Sequence, residues 1–147
     1  MTILREPLAR TLSQLAQYRI QNAPDKDVEA IYDDPTVNGQ LLLNHQTKVF
    51  SLSEADNPGT YLKIVDIDEA RLATAKEALE RVDLLGLQEQ FPRFLRVLAD
   101  RYNWQIGEIE NVNVGGPVRV AESFRRRILE DNAADVELYE HARRIVG

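Results

Sequence analysis

The feature that most constrains the fold is the scarcity of strand-like segments in a chain that is otherwise patterned for helices. Only residues 2–5 and 83–87 have the short apolar character of strands, which is too few for a sheet with its own core. Parallel strands are buried between helices and need neighbours, so both would fit the edge of a parallel sheet. We therefore predict an α/β chain that is mostly helical, with one or two short parallel strands, in which residues 1–147 form a single partial domain.

Helical spacing of apolar residues predicts the other elements. Pro7 suits the first turn of a helix, and Pro24 ends that helix near Asn22, because proline disfavours helical geometry in the residue before it. Asp68 begins a further helix, and residues 91–102 form another that places Phe91, Phe94, Leu95, Leu98 and Tyr102 on one face. Asn132 and Asp135 have the spacing of a cap for the last helix. The mixed segment 40–52 permits no assignment, and Asn57-Pro58-Gly59 and Gly115-Gly116-Pro117 predict loops.

The charge and composition exclude several functional classes. A net charge of -6 argues against nucleic-acid binding, which requires a positive field. The chain has no cysteine, and its two histidines, His45 and His141, are far apart, so a metal site is not expected. Apolar runs are much shorter than the ~20 residues that span a bilayer, and the first residues do not resemble a signal peptide. We therefore expect a soluble, cytoplasmic protein without a membrane span.

The candidate binding site lies at the start of the chain. A strand that ends in Arg5 and leads into a helix at Pro7 places a guanidinium beside free helical N–H groups, and both favour an anion such as phosphate. Ser13, about two turns further on, would add a hydroxyl if the phosphate lay along the flank of the helix. A surface ion pair between Arg5 and Glu6, or another neighbour, would explain the same residues equally well.

The stretch from Thr2 to Ser13 resembles the 3′-phosphate-binding segment of sulfotransferases that use 3′-phosphoadenosine 5′-phosphosulfate. In that family a strand ends in an arginine, a proline follows two residues later, and a serine lies eight residues after the arginine. The resemblance implies that Arg5 and Ser13 hold the 3′-phosphate of the nucleotide. Arg10 also matches a position that is often arginine, but its role transfers less directly.

Later segments resemble the same family, in the same order along the chain. Residues 44–48 are similar to the Asn-x-Gln-x-Arg segment of bacterial carbohydrate-type sulfotransferases, with Lys48 in place of arginine. Residues 82–89 are similar to the short strand and Gly-Leu-Thr-Glu turn, with Gln88 in place of threonine. The terminal helix pair is represented by Asn113, Ile128, Asn132, Asp135, Leu138 and Tyr139. The likeness spans nearly the whole chain and implies the C-terminal part of a P-loop-type sulfotransferase fold.

The resemblance implies transfer of a sulfuryl group from the nucleotide co-substrate to a hydroxyl, on a carbohydrate acceptor, without a metal. The family's loop for the 5′-phosphosulfate precedes the segment that matches Arg5, and nothing before Arg5 fits it. We therefore expect this polypeptide alone to be inactive and to bind nucleotide weakly, with no catalytic base identified; the family's base usually lies upstream, which disfavours His45. The alternatives are an accidental likeness and a non-catalytic helical binding or interaction protein derived from the same scaffold, with an exposed apolar patch or a homo-oligomer.

Overall fold

The computed structural model describes residues 1–56, 62–107 and 118–147. Within these residues the chain is mostly helical and contains two short strands, β1 (Thr2–Leu4) and β2 (Leu85–Leu87). The two strands pair in parallel. The prediction of a mostly helical α/β chain with one or two short parallel strands is therefore confirmed.

The described part of the chain contains eight helices besides the strands. They are α1 (Pro7–Asn22), α2 (Val28–Tyr32), α3 (Pro35–Val37), α4 (His45–Ser51), α5 (Glu69–Glu80), α6 (Phe91–Tyr102), α7 (Glu122–Asp131) and α8 (Ala133–Val146). A π-helical turn (Asn38–Leu42) follows α3, and 3-10 turns occupy Glu54–Asp56 and Gln88–Gln90. None of these helices combines the length and the apolar content that a membrane crossing requires. The loops predicted at residues 57–59 and 115–117, and Asn113, lie outside the described residues.

Helix α1 forms where the sequence predicts it. Pro7 is its first residue, a position at which the missing N–H costs nothing. Its buried residues follow helical spacing and include Leu8, Leu12 and Leu15. The helix ends at Asn22, two residues before Pro24, as the pattern requires. This helix therefore fixes the direction in which the chain leaves the end of β1.

Two apolar clusters form the core of the described structure. The first joins α1 to α2, the π-helical turn and α7, and includes Leu12, Leu15, Ile31, Tyr32, Leu42, Phe124 and Ile128. The second surrounds the sheet and includes Leu4, Ala75, Leu79, Leu87, Leu138, Tyr139 and Ala142. Helix α8 contributes most of one side of the second cluster, so the sheet is packed between helices as parallel strands require.

Gly86 allows α6 to approach the sheet closely. A Cβ atom at this position would lie 2.3 Å from Cδ2 of Phe94, well inside any normal contact. Phe94 is buried directly against the backbone of β2. The glycine of the Gly-Leu-Gln-Glu segment is thus required by helix–sheet packing.

Two parts of the structure differ from the sequence pattern. Residues 40–52, which the pattern leaves unassigned, include the end of the π-helical turn and all of α4. Their periodicity is obscured because polar side chains, among them Thr47 and Lys48, are buried there. Tyr102, the last residue of the apolar face predicted for α6, is 46% exposed and stacks on Trp104 with ring centroids 5.3 Å apart.

Candidate functional site

Arg5 lies directly after β1, at the carboxyl end of the parallel strands, where α/β proteins commonly bind their ligands. Its side chain is partly exposed. Among the described residues the guanidinium has no hydrogen-bond or ion-pair partner. The ion pair with Glu6, which is the other interpretation of this segment, is not formed. Arg5 therefore offers an unpaired, permanently charged donor at the edge of the sheet.

Glu6 is instead the cap of α1. Its carboxylate accepts hydrogen bonds from the N–H groups of Leu8 at 3.1 Å and Ala9 at 2.7 Å, and its carbonyl accepts from the Arg10 N–H at 2.9 Å. The prediction that free N–H groups at the start of α1 would help to bind an anion is therefore wrong. A carboxylate of the protein already occupies that position, so anion binding beside α1 depends on side chains.

The main chain of Arg5 is fixed by side chains that are distant in sequence. Gln46 accepts a hydrogen bond from the Arg5 N–H at 3.0 Å and donates one to the Arg5 carbonyl at 2.9 Å. This pair of bonds imitates the contact that a neighbouring strand would make. Glu89 accepts a third bond from the Glu6 N–H at 2.9 Å. The Arg5–Glu6 peptide is thus held by α4 on one side and by the turn after β2 on the other.

Gln46 is itself positioned by Asp135 of α8. The Asp135 carboxylate accepts hydrogen bonds from the N–H groups of Gln46 at 3.1 Å and Thr47 at 2.7 Å, and from the Thr47 hydroxyl at 2.8 Å. Only 1% of Asp135 is exposed, and burial raises the pKa of its carboxyl against the opposing effect of these donors. A negative charge at the first turn of α4 also stabilises that helix.

Asn44 and Asn132 complete a reciprocal contact between the starts of α4 and α8. The Asn132 amide oxygen accepts from the Asn44 N–H at 2.7 Å, while the Asn44 amide oxygen accepts from the Asp135 N–H at 3.1 Å. The prediction that Asn132 and Asp135 cap the last helix is therefore wrong in its partners. Asn132 does lie directly before α8. The side chains of Asn132 and Asp135, however, accept hydrogen bonds from N–H groups at the start of α4, and the N–H of Asp135 in α8 is capped by Asn44.

Four basic side chains, Arg5, Arg10, His45 and Lys48, form a basic cluster in this acidic protein. Arg10 donates through Nη2 to the Leu41 carbonyl at 3.0 Å, whereas its Nη1 is buried and has no hydrogen-bond partner among the described residues. Burial and the neighbouring Arg5 lower the pKa of Arg10, with Asp135 opposing. Burial, Arg10 and Lys48 also lower the pKa of His45 to about 4. Asp135 is thus the carboxylate that offsets part of the charge of Arg10 and Lys48, and His45 is neutral near pH 7.

Ser13 is exposed on α1, six residues beyond Pro7 and hence ~9 Å further along the helix axis. Arg5 lies close enough to Arg10 to affect the pKa of that guanidinium. The role of Ser13 stays a prediction. Both side chains would reach one phosphate only if it lay along the flank of α1, as the sequence interpretation requires.

Glu89 is a site residue that the sequence interpretation does not identify. One oxygen of its carboxylate accepts from the Glu6 N–H, and the other accepts from the Tyr139 hydroxyl at 2.8 Å. Burial opposes ionisation of Glu89, but these donors and the nearby Arg5 outweigh it, and the pKa of Glu89 is lowered. Two features of the sequence could have indicated Glu89: its position shortly after the predicted second strand, and its match to the glutamate of the Gly-Leu-Thr-Glu turn that residues 82–89 resemble.

The contacts of Gln46 and Asp135 also could not be predicted from neighbouring residues in the sequence. The partner of Gln46 lies 41 residues away, and the partners of Asp135 lie 88–89 residues away. Among the described residues no group of His, Asp and Glu side chains is arranged to hold a metal ion. No family model, curated protein or solved structure matches this chain. The sulfotransferase family therefore stays a prediction that rests on the quoted motifs.

Proposed function

We propose that this chain provides the 3′-phosphate-binding part of a sulfotransferase of the P-loop type, which transfers a sulfuryl group from 3′-phosphoadenosine 5′-phosphosulfate to a hydroxyl of a carbohydrate. One observation supports it above all others: among the described residues the Arg5 guanidinium at the carboxyl end of a parallel strand has no hydrogen-bond or ion-pair partner, while its main chain is fixed from both sides. Ser13 is assigned to the same phosphate. No residue is assigned as the catalytic base.

The geometry around Arg5 suits a phosphate for a physical reason. A guanidinium matches two phosphate oxygens with two parallel hydrogen bonds, which adds direction to charge. Fixing its main chain in advance lowers the entropy that binding would otherwise cost. Among the described residues the buried Nη1 of Arg10 has no acceptor, and an unsatisfied buried donor costs about 1–3 kcal/mol. An anion beside the basic cluster would compensate the charge of both arginines.

The direct test is an NMR titration of the isotope-labelled chain with adenosine 3′,5′-bisphosphate and with adenosine 5′-monophosphate. We expect the bisphosphate to bind at about millimolar affinity, because that needs about 4 kcal/mol and each charge-assisted hydrogen bond contributes about 1.5–3 kcal/mol. The monophosphate should bind more weakly, since it lacks the 3′-phosphate. Resonances of residues 5–13 should shift most.

The matched variants are Arg5→Ala and Arg19→Ala. Arg19 is exposed in the last turn of α1, far from the start of that helix, so its loss should leave binding unchanged. Loss of Arg5 should weaken bisphosphate binding by at least about tenfold, which corresponds to ~1.4 kcal/mol. Equal affinity of Arg5→Ala and the wild type, or equal binding of the two nucleotides, would contradict the proposal.

A second function, a non-catalytic interaction module, is favoured by an apolar groove of ≈ 290 Å³ beside β2, which we call the β2 groove. Phe94 and Val97 line it from α6, and Ile145 lines it from α8. Val97 is 42% and Ile145 43% exposed. Asp83 lines the groove at the start of the strand, and Arg93 lines it from α6 beyond the end of the strand. We assign a second copy of the chain as the occupant of this groove, in an antiparallel orientation that would bring each Asp83 toward Arg93 of the other copy.

This second function predicts a dimer that depends on Val97. Sedimentation equilibrium should show a dimer for the wild type and a monomer for Val97→Glu, because a charge would be buried at the contact. Ile20→Glu, at a position that is 75% exposed on α1, should leave the dimer intact. A monomeric wild type at all accessible concentrations would remove this candidate.

A further inference from the structure

Glu89 and Tyr139 form a relay of hydrogen bonds that ends at the Arg5–Glu6 peptide. The Tyr139 hydroxyl donates to one carboxylate oxygen at 2.8 Å, and the Glu6 N–H donates to the other at 2.9 Å. Tyr139 is 8% exposed and belongs to the apolar cluster around the sheet, so its ring is held by packing. The partners are separated by 83 residues along the chain for Glu6 and by 50 for Tyr139, so only the fold brings them together.

We propose that Glu89, oriented by Tyr139, is a positioning residue that directs the Arg5 guanidinium toward the anion and thereby sets the preference for a 3′-phosphate. The inference rests on the proposed function, because it assigns Glu89 to the site at which Arg5 binds the nucleotide. Glu89 acts through the main chain of Glu6 and does not touch the phosphate.

The hydrogen bonds of Glu89 bear on whether its carboxylate pairs with the nearby Arg5 guanidinium. Glu89 is near enough to Arg5 for the arginine to lower the pKa of its carboxyl, yet the two side chains form no ion pair. Both carboxylate oxygens are occupied by donors, one from Glu6 and one from Tyr139. A carboxylate released from these donors would be drawn to the guanidinium and would compete with a phosphate for it. The hydrogen bonds therefore keep Arg5 available.

The test compares Glu89→Ala, Glu89→Gln and Tyr139→Phe in the NMR titration with adenosine 3′,5′-bisphosphate and adenosine 5′-monophosphate. Glu89→Ala removes the support of the Glu6 N–H and should lower the preference for the bisphosphate by about tenfold, a typical cost of one lost directional contact. Glu89→Gln retains an acceptor without the charge and should remain within about threefold of the wild type. Tyr139→Phe should lie between them, because it frees one carboxylate oxygen to approach Arg5.

Glu130→Ala is the matched control, since Glu130 is an exposed carboxylate on α7. It should leave the preference for the bisphosphate unchanged. A Glu89→Ala protein that retained the wild-type preference would overturn the inference, as would loss of the preference in Glu89→Gln equal to that in Glu89→Ala. The monophosphate affinity serves as the internal reference, because a merely unfolded fraction would lower both affinities together.

Amide hydrogen exchange separates this inference from the proposed function. In the absence of ligand, the Glu6 N–H should exchange faster in Glu89→Ala than in the wild type or in Glu130→Ala, because its acceptor is gone. If the wild type bound neither nucleotide, the proposed function and the ligand preference assigned to Glu89 would both fall. Unchanged exchange at Glu6 in Glu89→Ala would show that Glu89 does not hold this peptide, whatever the chain binds.

Discussion

The structure shifts the titration of His45 within the pH range in which stability can be measured. Burial is the main cause, and the neighbouring Arg10 and Lys48 add to it, while a hydrogen bond with the main chain of Gln40 opposes them; the pKa falls from 6.5 to about 4. The folded protein therefore keeps His45 neutral at a pH at which the unfolded chain protonates it. The contribution of neutral His45 to the free energy of unfolding is therefore fully present above pH 6.5. It is lost progressively as the pH falls from 6.5 toward 4, because protonation then favours the unfolded chain.

We expect His45→Gln to remove part of that pH dependence. Between pH 6.5 and 4.5 the wild type should lose about 1–2 kcal/mol more unfolding free energy than the variant, after allowance for partial exposure of the imidazole. Urea denaturation at the two pH values measures the difference. Gln17→Ala, an exposed change on α1, should show the wild-type dependence. Equal losses of unfolding free energy in the wild type and in His45→Gln would show that His45 does not cause this pH dependence.

Individual residues were predictable from the sequence where their chemistry is local. Arg5 was identified because a strand, an arginine and a proline follow one another directly. Gln46 and Glu89 were not identified as its supports, because nothing within a few residues of either indicates a partner 41 or 83 residues away. A polar glutamine amide would be expected at the surface, yet here it makes the two hydrogen bonds with the Arg5 main chain that a neighbouring strand would make.

At the scale of elements, α4 and α8 depend on each other at their first turns. The start of α4 is stabilised by Asp135, and the start of α8 by Asn44. Asp135→Asn should destabilise the protein by about 3 kcal/mol, because the new amide places a donor against the N–H groups that the carboxylate accepted. Asp100→Asn, at an exposed position on α6, provides the control. Chemical denaturation that showed equal stability for both variants would exclude this role.

The contact between β2 and α6 permits a second element-level prediction. Gly86→Ala should cost about 1–3 kcal/mol, because its methyl group overlaps the Phe94 ring. Gly107→Ala should be nearly neutral, because a Cβ atom at this position would have no other described atom within 4 Å beyond its chain neighbours. Adding Phe94→Leu to Gly86→Ala should destabilise the protein by less than the sum of the single changes, since the smaller side chain leaves room. Thermal unfolding of the four proteins and the wild type measures this coupling.

Elements with a clear apolar period were predicted well, and α4 was not. Helix α1 shows leucines at helical spacing on a single buried face, which sequence alone reveals. In α4 the buried positions include Gln46, Thr47 and Lys48, so hydropathy gives no period there. Such a helix is stabilised by hydrogen bonds to other elements, and these become visible only when the fold is known.

At the scale of the whole molecule, two short strands belong to one of the two apolar clusters of a structure that is otherwise helical in its described residues. The sequence predicted this proportion because only two segments had the character of strands. It did not predict how the sheet edge at Arg5 is completed, since a side chain of Gln46 takes the place of a strand. The β2 groove follows from the same scarcity of strands: in the part of the chain that the structure describes, no further strand pairs on that side of β2, and Val97 and Ile145 stay exposed.

Lys48 shows how one cation ties distant parts of the chain together. Its Nζ donates to the carbonyls of Gly39 at 3.3 Å, Gln40 at 2.6 Å and Lys63 at 3.1 Å, and the residue is 1% exposed. An amine in this position is inaccessible to acylating reagents as long as the chain stays folded, whereas Lys26 is open to them. The rate at which Lys48 becomes acetylated, compared with that of Lys26 by mass spectrometry, would thus report how often the structure around Lys48 opens.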